Sequence, residues 1–423
     1  MAIDERIYWI WLSCACTPGS VTFKKLLSHS DSAYEIYGLD SSRLAAIVTS
    51  RSKDFPRLTD KSLEHATEIF EYCVSKNIGI LTYGDREYPS VLKDIPTPPV
   101  LLYYRGKLPD FDREFAVSVV GTRLLSDYGR KNAFMISYDL ARSGALIVSG
   151  MAIGIDGVAH AGALAAGKPT VAVIGSGIDV LYPKAHGKLA REIVKSGCVL
   201  TEFAPGTRPE KFNFPVRNRI ISGLSSATVV IEGKERSGAL LTARHAREQD
   251  RVVYALPGNV GNPNSQLSNR LRRTGAILCT AADDIVRDFE IKSKGRLNPH
   301  KLAESAPINM NDVLSYLKIA CVTPADDIFK PSRGQRTDSL VAESVVEEIS
   351  GDNKAAEKES PDMSGLDKTA IVIYKRIPIG EECAVESLIS EELSMRDIMK
   401  GLLKLEMGRF VTMLPGERVR RNF

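Results

Sequence analysis

Apolar positions change rhythm along the chain, and each rhythm predicts a different architecture. Up to about residue 79 they recur at helical spacing with little strand signal, as at Leu26, Leu27, Tyr34, Ile36 and Tyr37. Thr59 or Asp60 is placed to cap a helix running through Val74, with Glu64 near its first turn. A small helical domain of the SAM or helix-hairpin kind is expected over 1–79. Runs at 77–82 and 99–104 flank a proline-rich connection and read as short strands. From 115 to 289 the pattern becomes continuous apolar runs at 116–120, 145–148, 171–174, 199–200, 228–231 and 252–256, separated by helix-length segments. Runs without polar alternation are buried on both faces, which indicates an α/β fold: a mostly parallel sheet with helices on each side. Right-handed crossovers then gather the loops after the strands along one edge, where such sheets bind ligands. This α/β domain is expected over 80–290.

A linker, largely disordered, is expected over 291–365, because 350–361 is polar, charged and nearly free of bulky apolar residues. A short helix at 313–317 interrupts it. Apolar periodicity returns in the tail at Ile371, Ile373, Tyr374, Val385, Leu388 and Ile389. One or two helices over 391–406 and a hairpin over 408–418 complete a C-terminal winged-helix domain, 366–423. Such domains bind DNA or serve as protein contacts. The helix here carries as many acids as bases, so both roles stay open.

Composition adds bounds. A chain of 423 residues holds two or three domains, and 43% hydrophobic with 26% charged residues is ordinary for a globular protein. The net charge of +4 means that any nucleic-acid surface must be a local patch. Seven scattered cysteines with no Cys-x-x-Cys pair suggest neither zinc nor a disulfide framework, and reduced thiols fit a cytoplasmic protein. Cys14 and Cys16 form either a redox pair or part of a buried helix. The apolar run at 7–12 is short and follows Asp4 and Glu5, unlike a signal peptide. No run reaches the length of a membrane span.

Candidate chemistry lies in the loops of the predicted ligand edge. Phe214-Pro215-Val216-Arg217-Asn218-Arg219 starts a helix, since Pro215 suits a first turn. The helix end favours an anion, the guanidinium forks suit phosphate, and Phe214 adds an aromatic face. That combination suits a single nucleic-acid strand, and solvated arginines at a helix start are the plain alternative. Gly121 allows close backbone approach, and Arg123 can face a phosphate. Ser149 and Gly150 open a glycine-rich turn. Asp156 and His160, four residues apart, are either an acid–base pair or a cap and a packed histidine. Ser237 and Gly238 open another helix, with Thr242 near its first turn. Gly175-Ser176-Gly177 lacks the third glycine of a dinucleotide fingerprint, and no Walker lysine motif occurs. With Lys211, these residues form an anion-binding groove lacking an evident nucleophile, which argues for binding before catalysis and for no cofactor or metal.

These loops, in this order, resemble the DNA-processing protein A family (DprA, or Smf). The resemblance runs from Thr82-Tyr83-Gly84-Asp85 to Gly275-Ala276 through Val120-Gly121-Thr122-Arg123, Ser149-Gly150-Met151-Ala152, Tyr182-Pro183, Phe214-Pro215-Val216-Arg217-Asn218-Arg219, Ser237-Gly238-Ala239 and Pro257-Gly258. It implies an extended Rossmann-like domain that binds and protects single-stranded DNA, forms a homodimer and loads the recombinase RecA during natural transformation. By position, Arg123, Lys211, Arg217 and Arg219 would hold phosphates, Phe214 would meet a base, and Gly150 and Asn218 would shape the pocket. The family's Gly-Cys-Asn or Gly-Cys-His turn is replaced by Gln266-Leu267-Ser268, with Leu267 in the glycine's place. A second reading is a nucleotide-cleaving enzyme like the nucleoside-monophosphate phosphoribohydrolases. Their Pro-Gly-Gly-x-Gly-Thr motif is only partly matched by Pro257-Gly258-Asn259, leaving Asp156, His160 and Glu232 as conceivable catalytic groups.

Overall fold

The computed structural model describes residues 3–303, 310–320, 368–378, 382–388, 397–398, 401–402, 405, 411–414 and 418–421. Six helices lead the chain: α1 (Glu5–Ala15), α2 (Thr22–Leu27), α3 (Ala33–Tyr37), α4 (Ser41–Val48), α5 (Phe55–Thr59) and α6 (Glu64–Ser75). Asp4 caps α1 by accepting from Arg6 N, and the apolar run at 7–12 is buried in that helix. Burial raises the thiol pKa values of Cys14 and Cys16. Thr59 ends α5 and Asp60 follows it, so α6 begins later than the capping pattern predicts.

Strands and helices then alternate: β1 (Gly79–Thr82), α7 (Ser90–Lys93), β2 (Leu101–Gly106), β3 (Phe115–Val120), α8 (Asp127–Arg142), β4 (Ala145–Ser149), α9 (Ile155–Ala165), β5 (Thr170–Val173), α10 (Gly187–Ser196), β6 (Cys198–Thr201), α11 (Asn213–Gly223), β7 (Ala227–Val230), α12 (Gly238–Glu248), β8 (Val252–Ala255), α13 (Gln266–Arg273), β9 (Ile277–Leu278), α14 (Ala282–Phe289), α15 (His300–Ala303) and α16 (Met310–Ala320). The nine strands form one sheet in the order β1-β2-β6-β5-β4-β3-β7-β8-β9. From β6 to β9 every neighbour is parallel, while β2 pairs antiparallel with β6 and with β1. The α/β expectation holds, and the two early strands extend the same sheet. The strand β9, only two residues long, carries no run that the apolar pattern can detect.

Each central strand serves two cores. In β3, Val117 and Val119 join one apolar cluster with Phe134, Leu140 and Val158, while Ala116 and Val120 join another with Leu92, Ile220 and Leu267. Helices thus cover both faces, as continuous apolar strands require. The first cluster also holds Trp9, Leu12 and Tyr103, so the N-terminal helices share a core with the sheet instead of closing one of their own. Trp9 lies so close to Gly84 that a Cβ there would sit 2.9 Å from its ring.

Residues 291–303, part of the expected linker, are ordered: Leu297 is buried and Asn298 N donates to Ser143 O at 2.8 Å. Helix α16 covers the expected 313–317 helix. The carbonyl of Ala320 at its end lies 3.2 Å from His186 Nε2, and His186 Nδ1 lies 2.9 Å from Met151 O. The stretch 350–361 lies outside the described residues. No helix among the described residues is long and apolar enough to cross a membrane.

The C-terminal unit has its own core of Ile373, Tyr374, Val385, Leu402, Val411 and Val419. A helix, Lys368–Arg376, is followed by strand Glu382–Ala384 and by Val411–Leu414 paired antiparallel with Arg418–Arg421. Of the expected 408–418 hairpin, 408–410 and 415–417 lie outside the described residues, and its second strand extends to Arg421. Much of the expected 391–406 helical stretch lies outside the described residues.

Candidate nucleic-acid interface

The strand order reverses at β3, whose neighbours are β4 and β7. Loops leaving β3 and β7 diverge there and open a crevice, the position at which open parallel sheets bind ligands. A cavity of about 290 Å³ occupies it. Its walls come from the β3 loop (Gly121, Thr122, Arg123), the β4 loop and α9 (Ala152, Asp156), the start of α11 (Phe214, Pro215, Arg217, Asn218) and the start of α12 (Ser237, Gly238, Thr242).

Gly121 is required by packing. A Cβ there would sit 2.5 Å from Ile155 Cγ1 and 2.9 Å from Glu232 O. This closeness lets Thr122 N donate to Glu232 O at 2.9 Å and Ile155 N donate to Thr122 O at 3.1 Å. Arg123, next in the chain, is exposed, with its guanidinium 5.3 Å from the Phe214 ring centre. Phe214 is half-buried and packs against Tyr182 with ring centres 5.6 Å apart.

Two helix N-termini converge on the cavity, those of α11 and α12. Each offers a positive dipole end, although the first N–H of α11, that of Asn213, already donates to Glu210 O. Pro215 stands in the first turn of α11, where its missing N–H leaves no bond unmade. Ser237 caps α12 in an extended conformation, and its buried hydroxyl has no partner among the described residues. Buried hydroxyls are normally satisfied, so this one lacks the partner such groups usually have. Asn218 Nδ2 reaches Gly238 O at 3.4 Å and ties the two helix starts together.

Arg217, expected to hold phosphate, is also bonded to the protein itself. Only 4% exposed, it donates from Nη1 to Gly150 O at 2.8 Å and to Val173 O, and from Nε to Asn218 Oδ1 at 3.1 Å. It is a strut tying α11 to the ends of β4 and β5, with part of its surface forming cavity wall. Burial pushes its pKa down to about 10, opposed by Asp156. Asp156 is itself raised by burial, opposed first by Arg217. Gly150 supplies the accepting carbonyl, and a Cβ there would lie 2.6 Å from Asp156 Oδ2.

Arg219 leaves the groove altogether. It forms an almost fully buried ion pair with Glu202 and borders a small cavity against Thr17, Pro18 and Gly19 of the N-terminal segment. Ser149 is fully buried, donating to Val119 O at 2.7 Å. Lys211 is exposed on the segment leading into α11 and does not line the cavity. The structure therefore brings Gly121, Arg123, Phe214, Arg217, Asn218, Ser237, Gly238 and Thr242 into one place. Sequence reasoning misses Tyr182 as the support for Phe214, although Tyr182-Pro183 is among the motifs.

Two of the three conceivable catalytic groups, His160 and Glu232, are engaged elsewhere, while Asp156 lines the cavity. His160 is fully buried, with Nδ1 2.8 Å from Thr170 Oγ1, and burial pushes its pKa down to about 3. It is a neutral packing residue. Both oxygens of Glu232 accept from Ser126, from N and Oγ at 2.7 Å each, at the start of α8. Leu267, in the place of the family's glycine, is fully buried and donates from N to Gly233 O at 2.9 Å. It fills the core between α13 and the β7 loop.

His160 has a consequence for stability. Its folded pKa lies below the unfolded value of about 6.5, so the unfolded chain binds the extra proton as pH falls. The contribution is complete above about pH 6.5 and is lost toward pH 3, at up to ~1.4 kcal/mol per pH unit. Asp156, Glu202 and Glu232, raised by burial, act with opposite sign. Urea midpoints at pH 7 and pH 5 for wild type and His160→Gln isolate the histidine. We expect the wild type to lose more stability between the two, and equal losses would mean that His160 is not held neutral.

The family model for DNA recombination-mediator protein A matches residues 79–290. The chain belongs to this family. It is 29% identical to protein Smf of Synechocystis, a match covering 100% of both chains. It is 33% identical to protein Smf of Escherichia coli, covering 74% of this chain and 83% of that one. The X-ray structure of DNA processing protein A (DprA) from Streptococcus pneumoniae is similar at a TM-score of 0.59 and 35% identity, covering 68% of this chain and 99% of that one. The cavity lies within the segment that the DprA family model matches, and all of its wall residues fall inside it.

Proposed function

We propose that this DprA family member binds single-stranded DNA across the cavity at the β3–β7 switch point and delivers the strand to the recombinase RecA. The observation that carries the reading is the convergence of two helix N-termini, the unpaired Ser237 hydroxyl and exposed Arg123 on one crevice beside Phe214. Donors and a cation suit phosphate, and the aromatic suits a base. Binding is the reading favoured over catalysis, since His160 and Glu232 are engaged away from the cavity and Asp156, the carboxyl in its wall, faces the buried Arg217. Membership of a recombination-mediator family supports the recombinase as partner. Natural transformation is the setting in which a bound incoming strand needs such delivery. We assign a homodimer to the β9 edge, where Ile277 and Leu278 are exposed beside an open strand.

Photo-crosslinking tests the site. A 4-thiothymidine strand bound to the full chain should form adducts on the β3 loop and the starts of α11 and α12, mapped by mass spectrometry. Adducts confined to the C-terminal unit would move the main DNA site there. RecA delivery is tested separately: the chain should shorten the lag of RecA ATP hydrolysis on strands coated with single-strand-binding protein. An unchanged lag would remove the recombinase from the proposal while leaving the DNA site intact.

A further inference from the structure

We propose that Phe212 is a second base-stacking platform, outside the cavity, that takes one unpaired base of the bound strand; this rests on the DNA-binding reading above. Its ring is 70% exposed, more than any other aromatic side chain among the described residues. Sequence reasoning passes over it for Phe214, two positions later.

The surrounding segment holds the ring out in water. Asn213, next in the chain, is buried; its Nδ2 donates to Arg208 O at 3.2 Å and its N to Glu210 O at 3.0 Å. Thr207 N donates to Ala204 O at 3.1 Å, and Gly177 N to Thr207 O at 2.9 Å, which pins the turn to the loop after β5. Phe212 itself is the N-cap residue of α11, already in helical conformation at φ −75 and ψ −19, and makes no capping bond. The ring is therefore presented by a fixed backbone, which lowers the ordering cost when something stacks on it.

The occupant follows from chemistry. Between 182 and 259, Phe212 is the one exposed large apolar side chain among the described residues. A ring of this size matches the face of one base. Exposed Lys211 and Arg208 precede it, with exposed Glu210 between them, placing a cation for phosphate next to an aromatic for a base. The start of α11 also carries Phe214 into the cavity wall, so a strand held there passes the N-cap residue.

The test is a double-mutant cycle between protein and strand. Wild type and Phe212→Ala are titrated with labelled oligothymidine and with the same strand made abasic, at two salt concentrations. We expect Phe212→Ala to weaken oligothymidine binding about tenfold and to leave the salt slope unchanged, because no phosphate contact is lost. The abasic strand should bind both proteins alike. The added indole of a Phe212→Trp variant should be quenched by oligothymidine and not by the abasic strand. Equal affinity of wild type and Phe212→Ala for oligothymidine, with no quenching, overturns the platform. A change in oligomeric state on sedimentation with unchanged strand affinity would make Phe212 a protein contact and overturns it too. Failure of the wild type to bind oligothymidine at all would instead defeat the DNA reading on which the platform rests.

Discussion

Replacing Arg217 with alanine should destabilise the α/β unit by about 3–5 kcal/mol, the usual consequence of removing one partner from a buried charged network. The substitution strips Gly150 O and Val173 O of their donor and leaves Asp156 buried without its compensating cation. Those carbonyls lie at the ends of β4 and β5, so the crevice should lose its shape and strand affinity should fall with stability. Arg217→Lys should recover little, because an ammonium cannot span the same acceptors as the guanidinium fork. Adding Asp156→Asn to Arg217→Ala should restore part of the loss by removing the stranded carboxyl. Urea denaturation decides between a strut and a phosphate clamp. A midpoint shifted far down identifies the strut. An unchanged midpoint with lost DNA binding would return Arg217 to the phosphates.

Glu202→Ala should have a comparable effect, about 3–5 kcal/mol, through a different core. Arg219 would remain almost wholly buried, with Nε and Nη1 already lacking partners among the described residues and its carboxylate gone. The pair joins α11 and the loop after β6 to the N-terminal segment near Gly19, where a Cβ would lie 3.5 Å from Arg219 Nε. Replacing both partners by apolar residues of similar volume, Glu202→Leu with Arg219→Met, should be nearly neutral or stabilising, as removal of a whole buried pair often is. That double variant also separates Arg219 from DNA. Its strand affinity and salt slope should equal those of wild type, and a reduced slope would show that Arg219 contacts phosphate after all.

The two arginines show where sequence reasoning stops. Arg217 and Arg219 are two positions apart on a helix, about 200° around its axis, so they leave it on different sides. The motif reveals two cations near a helix start but not which core each enters, since that depends on the elements packed on either side. Gly121, Ser237 and Gly238 were legible because strand ends and helix starts fix where their backbone lies. Ser149 was misplaced because a serine ending a strand bonds inward as readily as outward, and here it bonds Val119 O. The parallel sheet was legible because its strands are apolar on both faces. The union of the N-terminal helices with the sheet was not, because helical periodicity marks a buried face without naming what covers it.

Fluorescence-anisotropy titration of a short single strand and its duplex, at two salt concentrations, tests the switch-point site most directly when wild type is compared with Arg123→Ala. Arg123 is exposed at the crevice, where its guanidinium meets the Phe214 ring, so its loss should leave stability nearly unchanged. We expect the single strand to bind more tightly than the duplex. The variant should bind it more weakly, with the slope of log affinity against log salt reduced by about 0.7, one phosphate contact on a single strand. Identical affinity and slope for the two proteins would contradict a DNA site at this crevice.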